Sequence, residues 1–135
     1  MKNNNILVEK SYAFALRVVK LRRYLLSEKD ERDMSKQILR SGTSIGANVE
    51  EAIGAQSKKD FQHKLSIAYK EARETHYWIR LLRDSEFIGL DQATSLLDDC
   101  DELLKISGSI IVTLKKQRDS EEGSDCSAIS GRPTS

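Results

Sequence analysis

Proline is nearly missing from this chain of 135 residues. The one copy, Pro133, lies almost at the end, so nothing upstream is driven out of a helix by a pyrrolidine ring. Cysteine is scarce as well: Cys100 and Cys126 form no metal-like or redox-like spacing. With so few thiols, a polar start (Met1-Lys2-Asn3-Asn4-Asn5) and no long apolar run, the reading is a reducing cytoplasm without a targeting signal or a membrane span. No convincing strand is present, and so no glycine-rich phosphate loop following one. His63 and His76 are the only histidines, and their separation does not place them on one helical face as a metal pair. Glu71 and Glu74 have the three-residue step of a bundle metal motif, but the motif needs histidine at its second position and a second copy elsewhere. No serine or cysteine has a base at a readable spacing. The expectation is therefore no catalytic residue, no metal and no cofactor.

What is present suits a helix-rich protein of one domain: 39% hydrophobic and 32% charged residues, with a net charge of +1 that sets up no global field. Four periodic segments follow. About 6–26, Leu7, Phe14, Val18, Leu21 and Leu25 make one stripe, with Ser11 in the missing step. About 33–55, Met34, Ile38, Ile45, Val49 and Ala52 make the next, shared with Ser41 and Asn48; Asp30 or Asp33 is the expected cap. About 58–84, capped by Ser57 with Asp60 three residues on, Phe61, Leu65, Ala68, Ala72, Thr75, Ile79 and Leu82 alternate steps of four and three, a coiled-coil-like seam. About 92–116, after a turn assigned to Gly89 and a cap assigned to Asp91, a broad apolar face includes Cys100, read as a buried and inert thiol. Residues 1–116 form the predicted four-helix bundle, and 117–135, rich in serine, glycine and acids, read as a disordered tail.

The polar residues raise the functional question. The first helix is basic through Arg17, Lys20, Arg22 and Arg23. The third carries a row of Lys59, His63, Ser66, Lys70, Arg73, Tyr77 and Arg80, cations with an aromatic that would suit a phosphate backbone. Glu71 and Glu74 beside it are expected to neutralise Lys70 and Arg73. Asp98, Asp99, Asp101 and Glu102 on the fourth helix are expected to pair with the basic first or third helix. The second helix holds Gly42 and Gly46, each costing about 1 kcal/mol against alanine, so close packing against a neighbour must offset them. Arg40 and Glu51 are too far apart to pair with each other, and each is assigned to another helix or subunit. Asn48, if buried, needs partners and is read as fixing register. Trp78 lies off the main seam and implies a second packing partner.

Two stretches go beyond periodicity. Arg40-Ser-Gly-Thr-Ser-Ile-Gly-Ala-Asn-Val-Glu-Glu-Ala52 is the first. The second is Ser57-Lys-Lys-Asp-Phe-Gln-His-Lys-Leu-Ser-Ile-Ala-Tyr-Lys-Glu-Ala72, continuing through Glu74-Thr-His-Tyr-Trp-Ile-Arg-Leu-Leu82. Together they resemble the bacterial four-helix-bundle family of 23S rRNA intervening-sequence proteins, over about Ser11 to Lys116. Gly46 stands where many members have proline. The resemblance implies an all-α, antiparallel up-down four-helix bundle assembled into a ring-like homo-oligomer, a pentamer. Its positions here are Arg40, Ser44, Asn48, Glu51, Phe61, Lys64, Glu71 and Glu74. The chain is also similar to the accessory variability protein of diversity-generating retroelements, which implies RNA or DNA and a reverse transcriptase or other protein as partners.

The function expected from these features is non-enzymatic: an oligomeric bundle binding RNA or a ribonucleoprotein partner. The assigned phosphate contacts are Arg17, Lys20, Arg22, Arg23, Lys59, Lys70, Arg73 and Arg80. Arg40, Gly42, Ser44, Gly46, Asn48, Glu51 and Trp78 are assigned to oligomer or helix packing. The rival is a protein-binding scaffold with no nucleic-acid role, and a more distant one an enzyme at subunit junctions using Glu71, Glu74 and His76.

Overall fold

Four helices follow one another in the computed structural model, which describes residues 2–128 and side chains over 4–123. They are α1 (Lys2–Lys29), α2 (Asp33–Ile53), α3 (Lys58–Asp84) and α4 (Leu90–Ala128). Among the described residues there is no strand. Each helix touches its neighbours in chain order, and α4 closes back onto α1 along the thinnest seam. Opposed pairs set the direction. Val18 meets Gly42 while Ser11 meets Gly46, and Arg40 meets Glu71 while Glu51 meets Lys64. As numbers rise on one helix they fall on the next, which is an antiparallel up-down bundle.

The apolar stripes become the core. Leu7, Phe14, Val18, Leu21 and Leu25 of α1 are buried with Ile38, Ile45 and Val49 of α2, Leu65, Ile79 and Leu82 of α3, and Leu96, Cys100 and Leu103 of α4. The glycines of α2 sit where α1 comes close. A Cβ on Gly42 would fall 2.7 Å from Val18 Cγ2, and one on Gly46 would lie 3.4 Å from the Ser11 carbonyl oxygen. The neighbour that offsets their helix cost is thus α1 of the same chain, and α2 runs unbroken through Gly46.

Several boundaries differ from expectation. Helix α4 runs past Lys116 to Ala128, where a disordered tail had been expected; residues 129–135 of that tail lie outside the described residues. Residues 117–123 of the extension are exposed and mostly polar or charged, so they have no hydrophobic period to read. Gln, Lys, Arg and Glu nevertheless favour helix, and Lys58 of α3 lies 3.9 Å from Glu121. Neither Asp30 nor Asp33 caps α2. The Glu31 carboxylate does, accepting from the Asp33 and Ser35 amides at 3.2 and 2.8 Å. Ser57 caps α3 as expected, accepting from the Asp60 amide at 3.0 Å. After α3 the chain turns at Glu86, with φ 66°, where the Phe87 and Glu86 amides donate to the Leu82 and Arg83 carbonyls. This left-handed C-terminal turn usually takes glycine. The Gly89 carbonyl instead accepts from Ala93, and Asp91 lies inside the first turn of α4.

Candidate nucleic-acid interface

Helix α3 packs against α2 on one side and α4 on the other, and a third side faces out. Its charged residues behave differently on each.

Toward α2, carboxylates engage the cations. Arg40 Nη1 donates to Glu71 Oε2 at 3.0 Å and Nη2 donates to Glu74 Oε2. The same Glu74 oxygen accepts from Trp78 Nε1 at 3.1 Å. Burial pushes the Glu74 carboxyl up, but the hydrogen bonds from Arg40 and Trp78 and the Arg40 charge outweigh it and hold it below the usual carboxylate range. The hydrogen bond to Glu74 raises Arg40 above its ordinary value. Farther along, Lys64 Nζ lies 2.8 Å from Glu51 Oε1, and that hydrogen bond raises Lys64. Beneath these pairs Thr75 Oγ1 lies 2.9 Å from Ser41 Oγ and 2.8 Å from the Glu71 carbonyl oxygen. A hydroxyl has one proton, so with Thr75 donating to the carbonyl, Ser41 donates across the buried seam. Between Arg40 and Glu51, Ser44 donates to the Arg40 carbonyl and Asn48 Nδ2 to the Ser44 carbonyl, at 2.6 and 2.9 Å. Asn48 is only half-buried and bonds within its own helix. Register between α2 and α3 is held by Ser41 with Thr75 and by the ion pairs. Ser41 and Thr75 had both been legible as polar residues on apolar stripes.

Toward α4, His76 Nε2 lies 3.1 Å from Asp101 Oδ1, and Arg80 Nε donates to His76 Nδ1 at 3.0 Å. Cys100 is buried, and its thiol donates to the Ala72 carbonyl at 3.2 Å. Burial, aided by the Asp101 and Asp99 charges, pushes it up to about 12, so the thiol stays protonated and inert. On the α1 side of α4, Arg17 Nη1 donates to Asp99 Oδ2 at 2.6 Å and Lys10 Nζ lies 3.1 Å from Glu102 Oε1. The acidic cluster of α4 thus pairs with both α1 and α3, as its charge complement implied.

On the outer face of α3, Lys59, Lys70, Arg73, Tyr77 and Arg80 are exposed. Lys59, Lys70 and Arg73 form no ion pair among the described residues. Glu71 and Glu74, expected to neutralise Lys70 and Arg73, turn to Arg40 instead. The Tyr77 ring is 48% exposed, with the Arg80 guanidinium 5.9 Å from its centre and the Trp78 ring edge-on at 5.1 Å. Trp78 itself is half-buried against the core.

The eight assigned phosphate contacts do not form one patch. Helices α1 and α3 lie across the bundle from each other, with no close backbone approach. Arg17 is held by Asp99, and Lys20 lies beside it in a shallow groove with Tyr24 and Gln92. The Arg22 Nε atom is buried without a hydrogen-bond partner among the described residues, and Arg23 is exposed elsewhere on α1. The four α3 cations share one face. Of the packing residues, Arg40, Ser44, Asn48, Glu51 and Trp78 lie along the α2–α3 seam, and Gly42 and Gly46 against α1. Glu71 and Glu74 point to α2 while His76 points to α4, so the three are not gathered into one site. No cluster that could hold a metal occurs among the described residues, and no described helix is long and apolar enough to cross a membrane.

The model of the family described as 23S rRNA-intervening sequence proteins matches residues 3–109. A crystal structure of a protein of unknown function from the S23 ribosomal protein family of Bacteroides thetaiotaomicron is 51% identical. It covers 81% of this chain and 97% of its own, with a TM-score of 0.80. No curated protein matches. By sequence over most of its length, this chain belongs to the 23S rRNA-intervening sequence protein family.

Proposed function

We propose that the chain is a non-enzymatic, cytoplasmic RNA-binding protein that contacts phosphates along the outer face of α3 and acts as a homo-oligomer. The observation behind this reading is the unequal pairing of its cations. Those at the helix seams are held by carboxylates, whereas Lys59, Lys70 and Arg73 have no such partner among the described residues and share an exposed face with Tyr77. From Lys59 to Arg80 that face runs about 30 Å at 1.5 Å per residue, long enough to follow several nucleotides. Cations track the backbone and an exposed ring stacks on bases, the usual pairing in sequence-tolerant single-strand binding.

One chain presents only a few cations on this face, and copies of the chain would add theirs. Tyr12 and Leu16, 64% and 49% exposed one turn apart on α1, are the large apolar side chains that self-association would cover. These same two residues favour the second reading, a protein-binding scaffold.

Fluorescence anisotropy with a single-stranded oligoribonucleotide across a salt series tests the RNA reading. Affinity should fall steeply, with log K dropping by about 0.7 per phosphate contact for each decade of salt. Absence of binding at low salt overturns it and leaves the scaffold. Light scattering on the chain and on Tyr12→Asp tests assembly: a monomer at micromolar concentration overturns the oligomer.

A further inference from the structure

Between α3 and α4 lies an open recess of about 330 Å³ lined by Arg73, His76, Arg80, Asp101 and Leu104. Two guanidiniums flank a histidine there. Arg73 and Arg80 are seven residues apart, two helical turns on one side of α3, or about 10.5 Å along its axis, and both long side chains open onto the same recess. Its single carboxylate, Asp101, lies 3.1 Å from His76 Nε2. That contact places the proton on Nε2 and leaves Nδ1 as an acceptor, which the Arg80 Nε–H fills at 3.0 Å. A chain of hydrogen bonds therefore runs from Asp101 through His76 to Arg80. It fixes one edge of the Arg80 guanidinium and leaves the terminal nitrogens, with no hydrogen-bond partner among the described residues, to take a ligand.

We propose that this recess is a seat for the terminal phosphate monoester of an RNA strand, gripped by Arg73 and Arg80, with His76 and Asp101 as positioning residues. The inference rests on the reading of α3 as the RNA-binding face and names the end of the strand that face would hold. A terminal monoester is close to doubly charged at neutral pH, where a backbone diester carries a single charge, and paired planar guanidiniums suit its oxygens. A recess admits a chain end more readily than a continuing backbone. The Arg80 guanidinium also lies over the exposed Tyr77 ring, so an aromatic surface for the terminal base adjoins the phosphate seat.

The test compares one short oligoribonucleotide with a 5′-phosphate and with a 5′-hydroxyl, by anisotropy at fixed salt. The phosphorylated form should bind about tenfold tighter, the scale of one charge-assisted pair of hydrogen bonds. Arg73→Gln and Arg80→Gln should each bring that ratio near one, whereas Lys59→Gln should weaken both forms alike. His76→Ala should reduce the ratio and His76→Gln should restore it, because an amide can accept from Arg80 and donate to Asp101. Equal binding of both forms with a steep salt dependence overturns the seat and leaves the α3 reading standing. A preference that survives Arg73→Gln and Arg80→Gln also overturns it. If neither form binds, both readings are overturned.

Discussion

The two sides of α3 carry similar residues to opposite ends. Toward α2, Arg40 and Lys64 meet Glu71, Glu74 and Glu51, above a buried pair of hydroxyls. Away from α2, Lys59, Lys70 and Arg73 form no ion pair among the described residues. Charge that is matched across a seam sets which helix lies against which. Unmatched charge on an exposed face leaves a field for a ligand. Counting lysines and arginines along the chain does not separate the two; knowing their partners does.

The largest expected effect tests the outer side. Replacing Lys59, Lys70, Arg73 and Arg80 together by glutamine should lower RNA affinity about a hundredfold or more and reduce the salt slope by about three, at 0.7 per contact. Circular dichroism should show the same helix content and melting temperature. An equal loss of stability would break the comparison, because the outer side would then be structural too.

Next in size is the α2 side. Thr75→Val keeps the shape but leaves the buried Ser41 hydroxyl without its partner, at a cost of about 1–3 kcal/mol, read as a lower midpoint in urea. Adding Ser41→Ala should recover part of that loss, since both polar groups then leave together. RNA affinity should not change with either variant.

A smaller effect is electrostatic. Arg40 is 51% exposed, so solvent screens its network, and Arg40→Ala should cost about 1 kcal/mol or less. Its pH dependence has a definite sign. The Glu74 carboxyl is held below its ordinary value in the folded chain, so the folded state binds fewer protons than the unfolded one. The stabilisation is complete above the ordinary carboxylate range, about 4, and is lost as pH falls through the lower folded value. Urea titrations of wild type and Glu74→Gln should therefore converge toward acid pH. A gap that widens on acidification contradicts the network.

The smallest expected effect is on the outer side again. Lys70→Gln alone should change stability by less than about 0.5 kcal/mol while reducing the salt slope of RNA binding by about 0.7.

Much of this was legible beforehand, and the exceptions share a cause. The α1 stripe of Leu7, Ser11, Phe14, Val18, Leu21 and Leu25 is buried in full, because a 3.6-residue period reports which side of a helix leaves water. The glycines of α2 announced a close neighbour but not its identity, and α1 of the same chain fills that role. Asn48 shared the stripe of Ser41, yet Ser41 reaches across to α3 and Asn48 bonds to its own helix. A small rotation about the helix axis decides between those outcomes, and a residue pattern does not specify it. The stretch of α4 over residues 117–123 escaped notice because exposed polar helix has no period. In the candidate site, the shared face of Lys59, Lys70, Arg73 and Arg80 was legible from spacing. That Glu71 and Glu74 would turn away from Lys70 and Arg73 was not.

The sequence by itself determined four amphipathic helices, their lengths to within a few turns, and the stripe that each buries, because these depend on residues close together in the chain. Tertiary structure alone decided which acid meets which base. Coulombic pairing depends on distances between residues as far apart in the chain as Arg17 and Asp99, or Arg40 and Glu74. Those distances exist only once the helices have packed, and the packing leaves Lys59, Lys70 and Arg73 of α3 with no ion pair among the described residues.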